Sequence, residues 1–75
     1  MPLVKLHYSV EGDTTVIATL SANIGKLEFI LRGLPGQPDG FKVLRVERTD
    51  GSEITDLDSK PPETVYVVGV MEKEN

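Results

Sequence analysis

The sequence has no cysteine, no tryptophan and a single histidine, and no apolar run approaches a membrane span. Each absence removes a class of function. Without thiols there is no disulfide framework and no thiolate metal site. Catalysis at His7 would need a nucleophile or a second acid–base group held beside it, and zinc would need three or four ligands. Neither pattern is present, so no catalytic centre, metal or cofactor is expected. A membrane helix needs about 20 consecutive apolar residues. The opening MPLVKLHYSV also lacks the long apolar core and cleavage pattern of a signal peptide. Cations are outnumbered too: 8 Lys and Arg face 12 Asp and Glu, for a net charge of -4 and a pI near 4.8. Phosphate backbones and anionic lipid attract clustered Lys and Arg, so neither nucleic acid nor a membrane is an expected partner. Gly33, Gly36 and Gly40 make no phosphate loop, since no Lys-Ser/Thr follows and the helical pattern precedes them. A noncatalytic, cytoplasmic protein that binds another protein is the expectation.

What is present is a pattern of short elements in one domain spanning residues 1 to 75, a length at which about 60% of the unfolded surface is buried. Val4, Leu6, Tyr8 and Val10 alternate with Lys5, His7 and Ser9, the period of a half-buried strand. Glu11-Gly12-Asp13 reverses the chain. Thr14 to Leu20 is β-branched, with Val16, Ala18 and Leu20 on one face, so the two runs read as an antiparallel hairpin whose register could slip by one. The period then changes: Ile24, Leu27, Ile30, Leu31 and Leu34 recur at helical steps, with Ser21 or Asn23 as N-cap. Gly33 followed by Pro35 stops the helix.

LPGQPDG at 34–40 is a turn-rich connection into a strand over Phe41 to Arg48. Along that strand Val43 and Val46 share a face only if a bulge intervenes, whereas Leu44 and Val46 share one without it. Asp50-Gly51 between β-prone flanks signals a tight hairpin, with Ser52 to Thr55 as a short return strand. Thr64 to Met71 is apolar on both faces, with Val65, Val67 and Met71 pointing one way and Tyr66, Val68 and Val70 the other. Strands of that kind sit in the middle of a sheet, so the last strand is expected to insert beside the first.

The expected fold is therefore α+β, with ββαββ order and a mixed sheet of four to five strands packed on one helix. This order resembles the ubiquitin-like β-grasp. Within that superfold, VLRVERTDGSEITDL at 43–57 and TVYVVG at 64–69 look like doublecortin-type domains, which share a strand, an Asp-Gly hairpin and a closing Tyr-Val strand. Microtubule-binding doublecortin domains are typically basic, unlike this chain. The sequence ends GVMEKEN, without the Gly-Gly that ubiquitin and the sulfur carriers present for activation. It is also similar to the acidic-basic Phox/Bem class, which assembles head to tail by pairing a lysine of the first strand with an acidic cluster. That resemblance implies Lys5 as the basic partner and Asp50, Glu53, Asp56 and Asp58 as the acidic patch.

Two functional expectations follow. A noncatalytic interaction module would dock another protein on the open sheet face through Leu3, Lys5, His7, Leu44, Tyr66 and Val68, because a contiguous exposed apolar patch on a small domain marks an interface. The alternative is a structural or cytoskeletal assembly domain, doublecortin-like or self-associating head to tail.

Overall fold

A computed structural model describes residues 3–57 and 62–72. It is an α+β structure: β1 (Leu3–Val10), β2 (Val16–Asn23), α1 (Leu27–Leu31), β3 (Phe41–Glu47) and β4 (Thr64–Met71). The strands form one mixed sheet in the order β2-β1-β4-β3, with β1 antiparallel to β2 and parallel to β4, and β4 antiparallel to β3. The last strand thus lies at the centre, as its two apolar faces require. Among the described residues there is one short helix, and this arrangement is compatible with a β-grasp.

The core lies on one side of the sheet. Val4, Leu6 and Tyr8 of β1, Val65 and Val67 of β4, and Phe41 and Val46 of β3 meet Ile24, Ile30, Ile54 and Leu57, all of them buried. The strand residues follow from the period of two. In β3 the alternation survives through a bulge: Val43 opposes Gly69 and Arg45 opposes Val68, leaving Leu44 as the extra residue. Val43 and Val46 therefore both pack toward the core, and Leu44 is exposed.

Three local expectations are corrected. The helix does not begin near Ser21 or Asn23, because β2 runs on through Asn23 and pairs Lys5 with Ser21, Val4 with Ala22 and Leu3 with Asn23. Ladder bonds to β1 outweigh the capping preference of isolated Ser or Asn, and α1 is left with five residues capped by Lys26 in extended conformation. Its end is where expected: Gly33 has φ of 91° and donates to the Ile30 carbonyl at 3.1 Å. Val16 is exposed, since a register shift between Tyr8 and Ser9 pairs it with Ser9 and takes it off the core face of Ala18 and Leu20. The expected return strand is reduced to a single bridge, Glu47 to Glu53, although the Asp50-Gly51 turn closes with Gly51 N donating to Arg48 O at 3.0 Å and Arg48 N to Ser52 O at 2.8 Å.

Tyr8 is fully buried, its ring edge-on to Phe41 at 5.3 Å, and its hydroxyl has no hydrogen-bond partner among the described residues. Burial pushes its phenol above the ordinary 10.0. Above pH 10 the unfolded chain releases this proton while the folded chain retains it, so stability present below that pH is lost as pH rises. Thermal melts should fall steeply above about pH 10, and Tyr8→Phe should flatten that fall. An unchanged alkaline limb in Tyr8→Phe would assign the loss to other groups.

Candidate functional site

The open face opposite α1 follows from the same alternation that fills the core. Leu3, Lys5, His7 and Ser9 alternate with the buried residues of β1, and Thr64, Tyr66, Val68 and Val70 take the same side on β4. Register then sets the rows. His7 stands opposite Thr19 on β2 and Tyr66 on β4, and Tyr66 stands opposite Glu47 on β3. Thr19, His7, Tyr66 and Glu47 thus form one transverse row. The His7 and Tyr66 rings lie 5.3 Å apart, tilted by 36°, and His7 Nδ1 is hydrogen-bonded to Thr19 Oγ1 at 3.0 Å. Both rings are half-buried.

The adjacent row is Ser9, Val68 and Arg45. Arg45 Nε donates to Glu47 Oε2 at 2.7 Å and its Nη1 to Glu11 Oε2. These two carboxylates, Glu47 first and then Glu11, hold its guanidinium pKa above the ordinary value. Arg45 stands on β3 and Glu11 just beyond β1, so the side chain must cross the intervening β4, over Val68. That crossing explains a correction. Val68 lies on the open face as expected, but it is only 6% exposed and is not available as a contact residue. A shallow depression of about 270 Å³ remains, lined by Ser9, Val68, Arg45, Glu47 and the β1–β2 turn.

The other expected docking residues are accessible. Leu3 is 64% and Leu44 47% exposed, and Lys5 is exposed on β1. The six therefore do not form one patch of equals: His7 and Tyr66 touch, Val68 is covered, and Leu3 and Leu44 lie on opposite sides of the row. Sequence reading missed Thr19, Glu47 and the Glu11–Arg45 pair. Their signal was the hairpin register and the β3 bulge, which only pairing to β1 and β4 resolves.

The acidic residues divide as well. Asp50 Oδ1 accepts from Ser52 N at 2.9 Å and Ser52 Oγ at 2.6 Å, and the Ser52 bonds hold its carboxyl below the ordinary 3.8. It is a turn carboxylate satisfied within its own loop. Glu53 bridges to Glu47, Asp56 is exposed, and Asp58 lies outside the described residues. Among the described residues no three His, Asp or Glu side chains are placed to hold a metal ion, and no helix is long and apolar enough to cross a membrane. No family model matches this chain, and no curated protein or solved structure shows significant similarity to it.

Proposed function

We propose that this chain is a noncatalytic protein-interaction module, a ubiquitin-like β-grasp domain that docks another protein on the open face of its sheet. The fold part rests on the central parallel pair of β1 and β4 with one helix across one face. The docking part rests on the transverse row, above all on two half-buried rings in contact at 5.3 Å on a face that no helix among the described residues covers. Aromatic residues with polar tips are typical interface anchors. Arg45, pinned by Glu11 and Glu47, gives the row a rigid polar rim, and Leu3 and Leu44 extend the apolar contact on either side. Lys5 adds an exposed cation suited to an acidic rim on the partner.

Capture from extracts of the source cell tests this reading when three immobilised proteins are compared: the native chain, Tyr66→Ala, and the helix-side variant Lys26→Ala. A protein retained by the native chain and by Lys26→Ala should be lost by at least about tenfold on Tyr66→Ala, with the far-ultraviolet spectrum unchanged. Equal retention by all three would remove the open face from the function. Head-to-tail assembly would instead use Lys5 against Glu53 and Asp56. Lys5→Glu would then abolish a salt-sensitive self-association while leaving Tyr66→Ala without effect.

A further inference from the structure

The two edges of this sheet are built differently. The β3 edge is guarded by the bulge at Leu44, by Lys42, Arg45 and Glu47, and by the return segment, which bridges Glu47 to Glu53 and donates Ile54 N to Val46 O at 2.7 Å. Bulges, charges and covering loops are the usual protections against edge-to-edge pairing. β2 has almost none of them. Its eight residues, VIATLSAN, include no charge, proline or glycine, and from Ala18 to Asn23 it pairs with β1 without interruption. Among the described residues, no backbone hydrogen bond outside the β1–β2 ladder reaches β2. Alternate N–H and C=O groups of the strand therefore point outward with no backbone partner among the described residues. Val16 and Ile17 are exposed at its start.

We infer that β2 is a self-association edge, pairing antiparallel with β2 of a second copy of this chain about a two-fold axis normal to the sheet. Three observations select a second copy over a foreign peptide. Strand addition gains peptide specificity from pockets for alternate side chains, and neither the depression beside Val68 nor a second one lined by Gly40, Phe41, Lys42 and Glu72 includes a residue of β2. The edge is uncharged, so two copies of an acidic chain meet there without like charges in register. Within each copy β1 and β4 are internal and β3 is guarded, so β2 meets only β2 and the assembly closes as a dimer instead of growing into a filament.

The symmetry also dictates the register. A two-fold normal to the sheet keeps both helices on one side, so each core-facing residue must oppose another core-facing residue. Centred on Leu20, Ala18 opposes Ala22 of the second copy and Thr19 opposes Ser21, which sets small side chains on the core side and paired hydroxyls on the open face. The inference uses the sheet edge and is independent of docking on the open face.

Sedimentation of the full chain from about 10 µM to about 1 mM tests it, since a dimer forms by mass action. The native chain should shift from monomer to dimer, undiminished in 1 M salt and by Lys5→Glu. Ser21→Lys combined with Ile17→Lys, both at exposed positions, should weaken the dimer by at least about tenfold with an unchanged far-ultraviolet spectrum. Hydrogen exchange gives a second readout that needs no variant: outward-facing amides of β2 should gain protection with concentration, while those of β3 should not. A native chain that stays monomeric throughout, or a dimer whose β2 amides gain no protection, would overturn the inference.

Discussion

Alanine in place of Gly69 is expected to remove most of the stability of this fold. Gly69 sits in the central strand, opposite Val10 on one side and Val43 on the other. A Cβ there would overlap the Lys42 carbonyl oxygen and lie 2.7 Å from both Cε1 and Cζ of Phe41. Neither neighbour can yield cheaply. The carbonyl belongs to the backbone of β3, and the Phe41 ring is buried against Tyr8. Overpacking of a filled core typically costs 1–3 kcal/mol and occasionally more; because backbone must move here, a cost of about 3 kcal/mol or more is expected. Small domains often hold only about 5 kcal/mol in total, so most of the stability would go. Urea denaturation read by far-ultraviolet circular dichroism measures it, and a loss below about 1 kcal/mol would show that β3 does not seat on β4 as described.

The second large effect is expected from Ile30→Ala. With five residues, α1 cannot hold together by its own hydrogen bonds, since isolated helices shorter than about 12 residues are marginal in water. It is held by what it buries, and Ile30 is its one fully buried residue. Truncation should cost about 3–4 kcal/mol through lost transfer energy and the cavity left behind. Leu31, the next residue, is 48% exposed, and Leu31→Ala should change stability by less than about 0.5 kcal/mol. Comparable losses at both positions would mean that the helix packs through a different face. The contrast is informative because hydrophobic period alone places both residues on the same stripe.

Much of the fold was legible in local pattern. The alternation from Val4 to Tyr8, the two-sided apolar run of β4, the Gly33 stop and the Asp50-Gly51 turn each rest on the properties of neighbouring residues, and each appears in the structure at its expected place. The expectation that β4 inserts beside β1 also rests on composition, because only a central strand can bury both faces. What failed did so at non-local junctions. Ser21 and Asn23 look like helix caps in isolation, yet β1 offers them ladder partners, and β2 takes them. Gly69 carries a local signal of its own, since a glycine inside an apolar strand marks a close backbone approach, here to the Lys42 carbonyl.

The candidate site was legible in part. His7 and Tyr66 share a face by alternation alone, but that they touch depends on the parallel register of β1 with β4. Val68 shows the limit most plainly. Its parity correctly assigns it to the open face, and its burial comes from Arg45 reaching across β4 to Glu11, 34 positions away in sequence.

The amino-acid sequence by itself determined the positions of β1, β3 and β4, the Gly33 stop and the Asp50-Gly51 turn, which residues alternate, and that the last strand must be central, because side-chain period and turn chemistry act within a few residues. Tertiary structure alone decided how far β2 extends, that Leu44 is extruded, that His7 meets Tyr66, and that β2 is the unguarded edge. Each of these depends on which backbone hydrogen bonds a distant strand supplies.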